Sequence, residues 1–359
     1  DGTVPPVLVQ GVSLPCDFPE FSPALDEGSA PGHIFITNSE GTPYLMILRN
    51  DGSPYFYRRM EDTSFDFKMQ PNGMLTGWLG ENERGFFRMD AHFQIMDTLK
   101  CLNGFDTDEH DLQLLPNGHA LMIAREERNM TEIDPDGNPN STVIGNHIQE
   151  LDENGSVVFE WLCWDHFALE DSYLATTSVK LVDYVHMNSV DVDHDGHILI
   201  SSRHLSECTK INRQTGEIIW RLGGKNNQFD FMNDPLQISY QHDFRPVTGK
   251  PGHYTLFDNG NQKDPKYSRV VEYRLDTVAM SAEKVWEYRH DPDRYSRLMG
   301  NAQLLPNGNM VVNWGGSDLP KITELSADST IVYEADFSEE MFNYRTFRFA
   351  CDYSMEVPY

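Results

Sequence analysis

Three of the 13 histidines in this 359-residue chain stand eight or ten residues before a glycine. His110 precedes Gly118 by eight residues; His186 and His242 precede Gly196 and Gly252 by ten. Seven residues after the same glycines stand Arg125, Arg203 and Asn259, and around Gly308 the same offsets fall near Asn301 and on Gly315. Asn188 follows His186 by two residues, so in a strand it points the same way. An imidazole titrates near neutrality and can serve as nucleophile, acid or base. Arginine and asparagine can donate to an anion. A lone histidine at a strand end is most often a hydrogen-bonded structural group, but three at matching repeat positions read as a site. Arg203 either joins that site or pairs with a surface carboxylate. Arg125 sits in Arg125-Glu126-Glu127-Arg128 and reads as a surface ion-pair partner.

The offsets have meaning only if the glycines mark one repeated unit. Lys68-Met-Gln-Pro-Asn-Gly-Met-Leu, Leu114-Leu-Pro-Asn-Gly-His-Ala-Leu and Leu304-Leu-Pro-Asn-Gly-Asn-Met-Val are near-copies. Val192-Asp-His-Asp-Gly-His-Ile-Leu-Ile is a fourth, and Pro246–Leu256 a looser fifth. Asn-Gly and Asp-Gly between apolar runs signal hairpins, with type I′ turns expected. A second hairpin follows most copies, as in Leu151-Asp-Glu-Asn-Gly and Ile211-Asn-Arg-Gln-Thr-Gly. Two hairpins make a four-stranded unit, which is a propeller blade. Gly73, Gly118, Gly196, Gly252 and Gly308 index five units at a mean spacing of about 59 residues, and Gly32–Met60 supplies a sixth. The reading is all-β: a six-bladed β-propeller over 31–359, with 1–30 as an amino-terminal extension that helps to close the ring, together with 343–353. In a ring the matched histidines converge on the central channel.

Composition narrows the partners. Lys plus Arg number 28 against 56 Asp plus Glu, a net charge of −28. Such a surface repels nucleic acid and anionic lipid, so neither is an expected partner. An anionic substrate would need local positive charge at its site. The 39% hydrophobic and 11% aromatic content argues against disorder. Apolar runs such as Gly118–Ala124 are strand-sized, far short of a membrane span. No signal peptide is visible, and the sequence begins at Asp1 without Met, which fits a mature or trimmed product; the expected location is secreted or periplasmic. Five cysteines lie far apart without a CxxC, so no zinc ribbon is expected; in a ring Cys16 and Cys351 could pair. Asp191-Val-Asp-His-Asp-Gly imitates the start of a calcium loop, but its twelfth position is Ser202, and a hairpin turn is the better reading. Asn129, Asn140 and Asn154 fit the glycosylation pattern, which matters only in a eukaryotic secretory host.

A resemblance then becomes specific. His186-Met-Asn-Ser-Val, Ile198-Leu-Ile-Ser-Ser-Arg203, Ile218-Ile-Trp-Arg-Leu-Gly-Gly and Gln241-His-Asp-Phe are similar to the bacterial arylsulfate sulfotransferase family, as is Glu109-His-Asp with Leu115-Pro-Asn-Gly. The similarity runs over roughly 100–315. It implies a six-bladed propeller that moves a sulfuryl group from an aryl sulfate ester to a phenolic or other hydroxyl acceptor without a nucleotide donor. His242 resembles the histidine that is transiently sulfated; His110, His186, Asn188 and Arg203 resemble its surroundings. In this reading Arg203 and a protonated His186 balance charge on the sulfonyl oxygens, Asn188 donates to one, and His110 moves the proton of the phenol. Asn259, Tyr184 and Tyr240 are candidate substrate-binding residues. No cofactor or metal is expected. The family's extra amino-terminal β-domain, which helps it dimerise, has no counterpart in the roughly 30 residues before the first blade, so no oligomeric state follows.

Two other classes compete. Some propeller polysaccharide lyases use His, Arg and Tyr, and Tyr184 and Tyr240 flank the key histidines. A non-catalytic ligand-binding propeller needs no such set of residues. A calcium-dependent hydrolase would need clustered channel carboxylates, which the aligned positions lack.

Overall fold

The computed structural model describes residues 14–174, 180–317, 321–337 and 341–350. It holds six sheets, the blades of a six-bladed β-propeller, antiparallel except where Leu181–Asp183 and Asp230–Met232 add a parallel strand to the third and fifth. Among the described residues the only α-helix is the four-residue Met130–Ile133, beside two short 3₁₀ turns.

The chain divides into two compact units. The first comprises Asp1–Leu99 and Leu298–Tyr359. It carries the first blade (Thr346–Phe349, His33–Thr37, Tyr44–Leu48, Pro54–Arg59) and the second (Lys68–Met69, Leu75–Trp78, Phe86–Met89, Ile95–Leu99). It also carries the sixth, Asn301–Leu304, Met310–Asn313, Ile322–Leu325 and Ile331–Phe337, to which Phe21–Asp26 adds an outer strand. The second unit is Lys100–Arg297. Its third blade is Asp106–Leu114, Ala120–Asn129, Thr142–Leu151 and Val157–Trp161; its fourth is Met187–Val192, Ile198–Ser202, Glu207–Ile211 and Ile218–Gly223. Its fifth is His242–Pro246, His253–Asp258, Arg269–Asp276 and Ser281–Tyr288.

Strand alternation explains the uninterrupted apolar runs. Ile198 and Ile200 pack into a core with Ile123, Ile148 and Trp161 of the third blade, while Leu199 joins Trp220, Phe244 and Leu256 toward the fifth. Both faces of Ile198–Ser202 are therefore buried, and the strand reads as continuous hydrophobic sequence.

The five index glycines all lie between the first and second strands of their blades, with φ from +79° to +90°. The turns differ from the expected type I′. Asn72, Asn117, Asp195 and Asn307, which precede a glycine, lack positive φ. Instead Gly118 N–H donates to Leu115 O at 2.9 Å, and Leu115 N–H to His119 O at 2.8 Å. This is a type I turn closed by a left-handed glycine, and Pro116 suits its second position. The first blade lacks this turn because its first strand, Thr346–Phe349, comes from the far end of the sequence and pairs with His33–Ile36. In the calcium-like turn, Lys210 Nζ bonds both Asp193 and Asp195 at 2.6 Å, so an ammonium neutralises those carboxylates. Cys101, Cys163 and Cys208 are buried free thiols and Cys16 is exposed; Cys351, its suggested partner, lies outside the described residues.

Candidate active site

Each first strand of the second unit has an irregular ladder within two residues of a histidine. In the third blade Met122 faces Leu112 and Ala124 faces Thr107, which throws Asp108, Glu109, His110 and Asp111 out of register. In the fourth, Asn188 is the extra residue between the pairs Met187–Ser202 and Ser189–Ser201. In the fifth, Asp243 and Phe244 interrupt the ladder between His242–Phe257 and Arg245–Thr255. The corresponding strands of the second and sixth blades keep regular register. Bulges re-aim side chains, and here they re-aim those of three blades. His186, Tyr240 and Asp243 have φ of +50°, +57° and +57°, values non-glycine residues adopt at a cost.

His242 is buried, and its Nδ1 lies 2.7 Å from Asn259 Oδ1. Asn259 Nδ2 donates to Ser296 O at 2.9 Å, which fixes the amide with its oxygen toward the ring. Nδ1 therefore carries the hydrogen and Nε2 the lone pair. Burial, and then the charge of Arg203, push the His242 pKa well below its ordinary value, so the ring is neutral. His186 and His110 act on it in the same direction. The peptide before His242 is held on both sides. Asn188 Nδ2 donates to Gln241 O at 2.8 Å, and Gln241 Nε2 donates to Ser201 Oγ at 3.0 Å and Glu207 O at 2.9 Å.

His110 takes the opposite charge state. Burial disfavours its protonation, but the Asp108 carboxylate, 2.5 Å from Nδ1, outweighs burial and raises the pKa to about 9. Asn146 Nδ2 holds the other Asp108 oxygen at 3.0 Å. The His110 ring meets His186 edge-on at 4.9 Å, and His186 lies 4.6 Å from His204.

His186 and Asp183 arrive on a long connection between the third and fourth blades. Its strand Leu181–Asp183 runs parallel to Thr142–Ile144. The His186 Nδ1 bonds Asp183 Oδ2. Burial would raise the Asp183 pKa, but His186, His204 and His110 together hold it well below the usual carboxylate range. Arg203 donates from Nη1 to His204 Nε2 at 2.7 Å and from Nη2 to Arg297 O at 3.0 Å, and its guanidinium lies 4.9 Å from the centre of the Tyr240 ring.

Asp183, His186 and His204 offer three ligand atoms within 4.8 Å of one another. The donor pattern does not suit a metal ion. His204 Nδ1–H is directed at Asp183 O at 2.6 Å, its Nε2 accepts from Arg203, and that guanidinium repels a cation. Asp108, Glu109 and His110 form a similar triplet, but there the carboxylate pairs with a cationic imidazole.

Residues 25–348 match the arylsulfotransferase (ASST) family. The chain belongs to that family. It is 24% identical to the arylsulfate sulfotransferases of Escherichia coli O6:H1 (strain CFT073) and of Lelliottia amnigena, in each case over 82% of this chain and 60% of the relative. The chain thus spans less than two thirds of the curated relatives it matches. Among solved structures, a protein of unknown function from Bacteroides caccae superposes with a TM-score of 0.55 at 11% identity, covering 88% of this chain and 98% of that one. That likeness concerns the fold alone.

Within this arylsulfotransferase-family chain, His110, His186, Arg203, His242, Asn259 and Tyr240 fall in one network of the second unit. Tyr184 does not join them. Its ring stacks on Trp164 at 5.7 Å, its hydroxyl donates to Phe167 O at 3.3 Å, and the residue is fully buried in the apolar core. Tyr184 and Val185 lie between the strands Leu181–Asp183 and Met187–Val192, and both fill that core just before the chain turns at His186. With Tyr184 removed, the tyrosine pair that suggested a lyase is reduced to Tyr240. Asn188 works as a tie to Gln241 O. Arg125 pairs with Glu127 at 2.6 Å. Asn301, in the other unit, exchanges amide hydrogen bonds with the backbone of Thr346. Sequence reasoning missed Asp108, Asp183 and His204. A carboxylate two or three residues before His110 and His186 was the available signal for the first two.

Proposed function

We propose that this chain transfers a sulfuryl group from an aryl sulfate ester to a phenolic or other hydroxyl acceptor through a sulfo-histidine at His242. The observation that carries the reading is the pairing of opposite charge states: a neutral His242 with its Nε2 lone pair defined, beside a cationic His110 and Arg203. The names of the curated relatives support the same activity.

In the first step Nε2 attacks sulfur, the S–O bond to the aryl group breaks, and its electron pair leaves with the phenolate. His110 gives that oxygen its proton; a pKa of about 9 is close to that of a phenol, which suits transfer in either direction. In the second step the acceptor hydroxyl attacks sulfur, its proton returns to His110, and the N–S bond breaks with its pair restored to Nε2. Sulfuryl transfer resembles phosphoryl transfer, where positioning and charge stabilisation dominate. Arg203 supplies that charge. A secreted or periplasmic setting remains part of the proposal.

Intact-protein mass after mixing with 4-nitrophenyl sulfate tests it. One added sulfuryl group is expected, absent in His242→Ala. Labelling that survives in His242→Ala and vanishes in His186→Ala would identify the wrong nucleophile.

A further inference from the structure

Most arginines of this chain have a carboxylate. Arg213 holds Glu150, Arg221 holds Glu207 and Asp171, Arg245 holds Asp111, and Arg269 holds Asp234. With 56 acidic residues against 28 basic ones, this is the expected outcome. Arg203 departs from it. Among the described residues its guanidinium partners are the His204 imidazole, the Arg297 carbonyl and the Tyr240 ring, all uncharged. Its Nε is buried with no partner among the described residues. The carboxylate that acts on its charge, Asp183, is engaged by His186.

His204 is built to accept from this guanidinium. Its Nδ1–H donates to Asp183 O at 2.6 Å, which leaves a lone pair on Nε2, where Arg203 Nη1 lies at 2.7 Å. Its own carbonyl accepts the Tyr173 N–H at 2.9 Å, so backbone and ring are both anchored. Burial, followed by the charges of His186 and Arg203, lowers its pKa to about 3.

We infer that His204 is a positioning residue that holds the Arg203 guanidinium through a neutral acceptor and so leaves its positive charge uncompensated for an anionic sulfuryl group. The inference rests on the sulfuryl-transfer reading for the identity of the anion. A carboxylate could hold the guanidinium equally well, with a bidentate pair, but would cancel the charge the substrate must meet. A neutral acceptor fixes the geometry and keeps the field.

The test compares His204→Gln with His204→Glu, two side chains of one shape that differ in charge. Turnover of 4-nitrophenyl sulfate and equilibrium binding of inorganic sulfate are both measured. The glutamine variant should stay within about tenfold of wild type in kcat/KM, and the glutamate variant should fall by about 10³-fold, the scale of losing one preorganised donor. Sulfate binding should weaken in the glutamate variant alone. Equal losses in both variants would mean a merely structural role and overturn the inference. Imidazole ¹⁵N shifts of the wild-type protein give a second reading that needs no variant to fold. His204 must be neutral and protonated on Nδ1 between pH 6 and 9; a charged ring or the other tautomer overturns the inference. If wild type binds sulfate with the Gln–Glu contrast intact but shows no aryl sulfate turnover, the sulfuryl-transfer reading fails and the positioning role stands.

Discussion

Arg245 donates through Nη2 to Asp111 at 2.6 Å, and Asp111 directly follows His110. The same guanidinium donates through Nε to Asp243, the residue after His242, at 2.9 Å. One arginine thereby staples the two bulged strands that carry the proposed acid and nucleophile. Asp111 is fully buried and Asp243 nearly so. Replacing Arg245 with Met leaves two buried carboxylates without this cation. Breaking a buried pair in this way costs about 3–5 kcal/mol. Urea unfolding of Arg245→Met measures it; a loss under about 1 kcal/mol, the scale of a surface pair, would show that the staple is dispensable.

Asn259 sets which nitrogen of His242 bears the hydrogen. Asn259→Leu removes the acceptor at Nδ1 and lets the ring take the other tautomer. The rate of sulfo-enzyme formation should fall by about 10²-fold or more, while sulfate binding at Arg203 persists. Rapid-quench mass measurement reads the first quantity. An unchanged rate would mean that the tautomer is fixed by something else.

Arg203→Ala should cost the chemical step about 2–4 kcal/mol, the loss expected for one donor aimed at developing charge. Arg203→Lys keeps the charge but loses the planar fork that meets His204 and Arg297 together, and should recover only part of the rate. The comparison is read in kcat/KM with a single donor ester. Full rescue by lysine would show that position matters less than charge.

The pKa of about 9 for His110 gives a pH signature. Its folded value lies above the unfolded value of about 6.5, so the cation is present through neutrality and is lost as pH rises through about 9. Transfer from a donor with a poorly acidic phenol should decline above that pH. A 4-nitrophenyl donor needs little protonation and should decline less. Parallel profiles for the two donors would remove His110 from the acid role.

Acid should destabilise the fold before carboxylates titrate. Burial lowers His147 to about 4, and His204 and His242 are depressed as well. Groups with depressed folded values contribute stability that is present above about 6.5 and lost as pH falls toward the folded value. The thermal midpoint should therefore drop between pH 7 and 5, and a flat midpoint across that range would contradict the assignment.

The blades were legible because a left-handed glycine has few substitutes at its turn, and five such turns repeat. The first blade was less regular in sequence because it is assembled from Thr346–Phe349 and His33–Arg59 and so lacks the indexing turn. His110, His186 and His242 were legible from offsets of eight or ten residues to the turn glycines. His204 was not, since strand alternation ends at Ser202 and the next two residues lie in a turn where both can face the same cluster. Tyr184 was misplaced for the converse reason: proximity in sequence to His186 says nothing about direction when the backbone reverses at φ +50°.

The pairing of His33–Ile36 with Thr346–Phe349 also sets a clock. The earlier strand leaves the ribosome about 300 residues before its partner exists, which at about 5–20 residues per second is a wait of roughly 15–60 s. Throughout that interval an apolar run, His33-Ile34-Phe35-Ile36-Thr37, presents an open hydrogen-bonding edge. The hazard in making this protein is therefore temporal: nascent chains are most prone to join one another during synthesis, and slower translation or crowded polysomes should lower the yield of folded protein without altering the stability of the molecules that finish.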